Sequence, residues 1–358
     1  MQRLALPLCL ASLLLSCTPT SRPAIHHAET PRSTPTSMAT VVTGASKTTL
    51  LSDLRLHPIN IDRADASRRR FGALTLVAAY ELETRAPHFG GLSSLSVAPA
   101  TGRMTFLSDR AHWFSAVLHQ DSKTGKLVGL SAWRSGPVIG TEAKPLVGKE
   151  GDSEGIEAHG GALYISLEQR HRILRYDAGL TKAPTRVWTP AALAKAPSNG
   201  GLEAITVLPD GRLVLLCEEY RDPRGDLRGW IVTPDKKRAE PFSLIPSDGF
   251  RPTDLATLPN GDVLLLERAF SILRGIRGRL RYIPAEALKT GARLAPKEIL
   301  RLDSHLVVDN FEGLAVQRHA GSGRLLIYLV SDDNFSRLQR TLLYQFAFDP
   351  PVKAHGAL

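Results

Sequence analysis

One unit recurs five times along the chain and constrains its fold more than any other feature. The best-formed copy is Asp309-Asn310-Phe311-Glu312-Gly313-Leu314-Ala315-Val316, followed by the apolar run Leu325–Val330 and the polar cluster Ser331-Asp332-Asp333-Asn334. Earlier copies begin at Asp152-Ser153-Glu154-Gly155, Leu202-Glu203-Ala204, Thr253-Asp254-Leu255 and Leu92-Ser93-Ser94. Each joins two β-type apolar runs through a turn such as Pro209-Asp210-Gly211 or Pro259-Asn260-Gly261. Asp-Gly and Asn-Gly supply the positive φ angles of tight hairpins, so each copy reads as a hairpin. With Ser93, Glu154, Glu203, Asp254 and Glu312 as the equivalent position, the copies repeat at roughly 50–60 residues, which suits four-stranded propeller blades lengthened by loops. A single blade cannot bury both faces of its sheet, so blades must stack around a common axis. The reading is an all-β propeller of about six blades, with five or seven open. Runs over Leu50–His57 and Phe71–Glu83 are placed to join Thr341–Phe348 and close the ring.

The 358 residues are 43% hydrophobic and 22% charged, an ordinary globular composition, and one domain is assigned to 48–358. Ahead of it, Arg3 and the apolar run Leu4–Leu15 form a secretory leader too short to span a bilayer comfortably. The leader ends in Leu14-Leu15-Ser16-Cys17, which resembles a bacterial lipobox with Cys17 as the lipidated residue. An ordinary leader with an incidental cysteine is the alternative. Residues 18–47, rich in Thr, Ser, Pro and Ala, lack the apolar surface to fold and read as a tether. The expected location is the periplasmic side of the cell envelope, with membrane contact through the lipid alone. Cys217 then has no partner and, inside an apolar strand, reads as core.

The formal net charge of +10 favours acidic partners, a small phosphorylated molecule or anionic lipid, over nucleic acid, for which no basic and aromatic stacking motif is present. The chain is expected to be monomeric. Arg68-Arg69-Arg70 and the spaced Arg274, Arg277, Arg279 and Arg281 read as solvated faces. A short helix is expected over Thr189–Pro197, between blades.

An acid leads most copies, and another ends each second strand: Asp109, Glu168, Glu218, Glu267 and Asp332, with Asp333 beside it. Because the strands are antiparallel, a hairpin's start and its partner's end share one edge, so both acid sets belong on one face of the propeller. Converging carboxylates repel unless hydrogen bonds, arginines or a cation relieve them, and oxygen-only ligands suit Ca2+ rather than Zn2+. Arg110, Arg170, Arg251 and Arg268 flank these acids with donors matched to a phosphate. A Ser93–His112–Asp109 triad can be drawn, but Ser93 lacks the Gly-x-Ser-x-Gly elbow.

The phrases Gly90-Gly91-Leu92-Ser93 with Leu107-Ser108-Asp109-Arg110, Asp152-Ser153-Glu154-Gly155-Ile156, and Asp309–Leu314 with Val330–Ser336 resemble the family called esterase-like activity of phytase, over roughly Leu74–Phe348. The resemblance implies a propeller related to calcium-dependent phytases, in which bound calcium ions hold the phosphate and activate water. It makes Glu154, Glu203, Asp254 and Glu312 candidate inner metal ligands, and Asp109, Glu168, Glu218, Glu267, Asp332 and Asp333 outer ones. Glu312, Glu154 and Asp332 are the candidate catalytic side chains. The expected activity is hydrolysis of phosphate esters; a lactonase or carboxylesterase on the same fold, or a non-catalytic binding propeller, are the alternatives. Many of these acids would equally serve to tie blades together.

Overall fold

A computed structural model describes residues 40–43, 46–51, 53–188, 190–233 and 238–350. Among these, the strands form five sheets, each opened by one repeat copy. The first blade runs Leu92–Ala98, Arg103–Ser108, His112–Gln120 and Leu127–Pro137, and the second runs Ser153–His159, Ala162–Leu167, Arg172–Tyr176 and Arg186–Trp188. Leu202–Val207, Leu213–Arg221, Leu227–Thr233 and Arg238–Leu244 make the third, with Arg293–Leu294 added in parallel at its edge. The fourth is Arg251–Thr257, Val263–Ser271, Gly275–Ile283 and Lys297–Leu302. The fifth takes Asn310–Arg318, Leu325–Asp332 and Leu342–Phe348 from the C-terminal side and Leu74–Glu83 from the N-terminal side.

That shared blade sets the count at five rather than about six. Leu74–Glu83 pairs with Leu342–Phe348 as expected, but it completes the blade that Glu312 opens instead of adding a new one. The first strands of neighbouring blades pack side by side around the axis until the fifth meets the first. Apolar clusters fill the gaps between blades: Leu107 and Trp113 meet Ile165 and Leu174, and Leu264 and Leu280 meet Ile327 and Phe346. Cys217 is a free, buried thiol in one such layer.

Near the axis the backbones approach closely. A Cβ on Gly313 would lie 2.9 Å from both the Leu95 nitrogen and the Ser94 carbonyl carbon, so only glycine allows the fifth blade to approach the first there.

Other expectations change with packing. The leader, Cys17 and most of the tether lie outside the described residues, while Thr40–Thr43 and Ser46–Leu50 form strands on the outer edge of the first blade. The sequence there is polar, but an edge strand needs only one paired side. The helix expected over Thr189–Pro197 is a single 3-10 turn at Ala191–Leu193. Of the spaced arginines, Arg277, Arg279 and Arg281 are buried, their guanidinium groups taken up by Glu267 and the Phe250 ring.

Candidate functional site

Every first strand carries a β-bulge at the same point. Register slips between Leu92 and Ser94, Ser153 and Gly155, Leu202 and Ala204, Pro252 and Asp254, and Phe311 and Gly313. The extra residue in each case is Ser93, Glu154, Glu203, Thr253 or Glu312. A bulge leaves its residue outside the ladder and re-aims the side chain, here at the edge of the central ring. The ring is therefore three glutamates and two hydroxyls.

Asp254 falls one residue beyond the bulge, level with Ser94, Gly155, Ala204 and Gly313. Its carboxylate accepts from Ser94 Oγ at 2.8 Å, the Leu314 nitrogen at 2.8 Å and the Leu255 nitrogen at 2.8 Å. It ties the fourth blade to the first and fifth, and is not in the glutamate group.

Carboxylate oxygens of Glu154, Glu203 and Glu312 lie within 4.8 Å of one another, and a second group, Asp152, Glu154 and Glu168, meets the same limit. Glu154 belongs to both. Burial pushes the Glu154 and Glu203 carboxyls well above the usual range, with further repulsion from Glu312 acting on Glu154 and from Glu154 acting on Glu203. Glu154 and Asp152 nevertheless keep partial exposure, so the cluster opens to solvent. Glu312 is raised by burial but held back by Arg268, whose Nε stands 3.1 Å from Glu312 Oε1, and by Asn310 at 2.6 Å. That Arg268 contact is an ion pair without hydrogen-bond alignment. Burial works against the Arg268 charge, but Glu312, Glu218, Glu203 and Asp332 outweigh it and raise its pKa.

Among the outer acids, Asp332 is pushed up to about 8, chiefly by burial and then by Glu312, while the Asn334 nitrogen donates to it at 2.6 Å. Asp109 is raised by burial. Asp333 accepts from the Gly91 and Phe335 nitrogens, each at 3.0 Å, and clamps the fifth blade to the first. Glu168, raised by burial to about 7, accepts from the Gly200 and Gly201 nitrogens at 2.5 and 2.9 Å and pins that loop. Glu218 faces Arg251 at 3.7 Å and Arg268 at 3.5 Å. Glu267, fully buried, turns into its own blade against Arg279 at 2.6 Å and Arg281 at 3.4 Å.

The four arginines divide in the same way. Arg268 reaches the ring; Arg251 bonds Glu219 at 2.5 Å, Arg170 bonds Glu150 at 2.6 Å, and Arg110 stacks 3.6 Å above the Phe335 ring. The drawn serine triad does not assemble. Ser93 Oγ donates to the Ser153 carbonyl at 2.7 Å, and His112, its pKa lowered to about 4 by burial, stacks on His88 instead.

The raised carboxyls make stability depend on pH. Ordinary unfolded carboxyls ionise near pH 4, whereas Glu168 and Asp332 hold protons until about 7 and 8. The folded cation-free protein thus binds more protons than the unfolded chain across that window, and stability falls as pH rises through it. Melts in chelator should show the midpoint dropping by about 10 °C from pH 4.5 to 8. A flat or rising midpoint would refute the clustered-acid electrostatics.

The sequence model of the family Phytase-like, described as esterase-like activity of phytase, matches residues 87–335. The chain belongs to this family. No curated protein matches it significantly. Similar solved structures include a gluconolactonase from Xanthomonas campestris, at 13% identity and TM-score 0.41, covering 87% of this chain and 100% of that one. Another is a glutaminyl cyclase from Myxococcus xanthus, at 12% identity and TM-score 0.42, covering 77% and 97%. A tail fibre of Staphylococcus aureus phage P68 aligns at 11% identity and TM-score 0.42, covering 77% of this chain, which spans 53% of that one.

All three ring glutamates lie inside the matched region of this phytase-like chain, as do Arg268 and Asp332. Asp152, two residues ahead of Glu154, joins the second group although the sequence reading leaves it out of the candidate ligands. Two residues before the bulge, it returns to the same edge. The alternation signal for that was present in the sequence.

Proposed function

We propose that this phytase-like propeller hydrolyses phosphate esters with a hard divalent cation, Ca2+, held by Glu154, Glu203 and Glu312. The convergence of those carboxylates within 4.8 Å carries the reading. The fit is chemical: the donors are all oxygens, which suits Ca2+ over Zn2+, and three acids, two of them buried and Glu154 partly exposed, face one guanidinium, which leaves negative charge for a cation to neutralise. Such an ion would polarise a phosphoryl oxygen and acidify a water bound to it.

The chain's own groups do the rest. Arg268, placed between Glu312 and Glu218, orients an anionic oxygen with its planar fork and offsets part of the repulsion among the ring carboxylates. Asp332, titrating near 8, can accept or release a proton at its carboxyl around neutral pH, in the range that suits general acid–base work. The backbone donors around Asp333 and Glu168 hold the loops that frame the site. The family description, esterase-like activity of phytase, supports an ester substrate. Because Arg170, Arg251 and Arg268 are each already paired with glutamates, a less charged carboxylic ester or lactone is the second reading.

The test is a phosphatase and esterase substrate panel with metal analysis. Turnover of a phosphomonoester should vanish in chelator and return with calcium but not zinc. Chelator-insensitive turnover, or no upward melting shift in millimolar calcium, would sink the proposal. Turnover of carboxylic esters alone would favour the second reading.

The site belongs, in the same proposal, to a monomer tethered in the cell envelope through Cys17, with the leader ending Leu14-Leu15-Ser16 as support. Mass spectrometry of the mature N-terminus should find diacyl or triacyl modification on Cys17. A mature chain starting elsewhere, unmodified, would refute the anchor.

A further inference from the structure

The fourth blade's middle hairpin is built differently from the ring it rises from. Beyond Glu267 and Arg279 it continues through four more register pairs, Arg268 with Gly278 to Ser271 with Gly275. At about 3.3 Å per residue it projects roughly 13 Å past the acid level. Its apex is apolar: Phe270 is 69% exposed, Ile272 91% and Leu273 96%. On the neighbouring fifth blade, the loop after Asp332 adds Leu338 at 95%. Both tips leave the ends of second strands, so both rise from the face that carries the glutamates.

Large aliphatic side chains are seldom left this exposed without a partner. Two features select among partners. First, the exposed apolar residues are flanked by arginine: Phe270-Ser271-Ile272-Leu273-Arg274 carries no acid, and in the other loop Arg337-Leu338 follow Asp333, whose carboxylate is taken up by the Gly91 and Phe335 nitrogens. Among the described residues, neither Arg274 nor Arg337 has an acidic partner within 4.0 Å. Second, the apex is the three-residue turn Ile272-Leu273-Arg274 between paired Ser271 and Gly275, too small to supply the roughly 800 Å² per partner of a stable protein interface. A projecting apolar apex with arginine stems beside it suits the headgroup region of a bilayer, where aliphatic groups enter and guanidinium groups stay with lipid phosphates.

We infer that the Phe270–Arg274 tip, with Leu338 on the neighbouring blade, docks on anionic lipid surfaces and holds the glutamate face against them. This contact is separate from acylation at Cys17 and from turnover.

Flotation with vesicles tests it, using a chain from Met38 to Leu358. That unit contains every strand pairing of the propeller and lacks both leader and Cys17. A cooperative melt checks that it and each variant are folded. The chain should float with phosphatidylglycerol vesicles at low salt and bind phosphatidylcholine vesicles more weakly. I272D/L273D should lower partitioning about 20-fold or more on both. R274E/R337E should abolish the preference for phosphatidylglycerol and its salt dependence. Absence of flotation at low salt, or I272D/L273D floating like the parent chain, would overturn the inference. The first outcome would leave the tip to a protein partner, and the second would assign binding to basic surface elsewhere.

Discussion

Replacing Arg268 with methionine is expected to lower the stability of the chelated protein by about 3 kcal/mol, the low end of what removing one partner from a buried ion pair costs, because the arginine side chain is 31% exposed. Methionine keeps a long flexible stem in place, so the loss isolates the charge. Glu312 would lose its counter-ion at 3.1 Å and Glu218 one of its two, in a cluster where Glu154 and Glu203 already repel. At about 2–4 °C per kcal/mol the midpoint should fall by roughly 10 °C at pH 7. Because protonation relieves the same repulsion, the loss should shrink toward pH 5. Calcium should stabilise the methionine variant more than the parent chain, since a bound cation takes over the missing charge. A variant that melts like the parent in chelator would show that Arg268 does not balance the ring. A large loss that calcium leaves untouched would make it a tie between blades and nothing more.

How this arrangement could be read from the sequence divides along physical lines. Turns such as Pro209-Asp210-Gly211 announce hairpins through backbone preferences that no tertiary contact alters, so the propeller and the shared acid edge were legible. The blade count was not, because Leu74–Glu83 could begin a blade or complete one, and only pairing with Leu342–Phe348 decides. The ring failed at a single residue. Thr253 and Asp254 are adjacent, and an aligned acid is more conspicuous than a threonine, but the bulge falls on Thr253. Since strand side chains alternate, that slip of one moves Asp254 off the central ring and onto the hydrogen-bonding layer between blades. Glu267 and Arg268 show the same alternation from the other side: neighbours in sequence, one turns into its blade against Arg279 and the other reaches Glu312.

Glu154→Gln should produce opposite signs in two measurements on one protein. Glu154 is the side chain common to both three-carboxylate groups, and its nearest repulsions come from Glu312, Asp152 and Glu168. Glutamine keeps the shape and removes the cost of holding a carboxyl that, among the described residues, no arginine pairs with, so in chelator at pH 7 the variant should melt higher than the parent chain. The gain comes from the same burial that raises the Glu154 carboxyl. In calcium the order should reverse, because both candidate sites lose an anionic ligand and affinity should fall about 100-fold, with phosphomonoester turnover falling alongside. Glu312→Gln makes the contrast: it strips Arg268 of its partner at 3.1 Å, so it should lose stability in chelator as well as calcium affinity. The pair therefore separates a ligand held in tension from a ligand held by an ion pair. If Glu154→Gln melts lower than the parent in chelator and binds calcium with unchanged affinity, Glu154 is a structural acceptor between blades, and the cation must be sought elsewhere on the face.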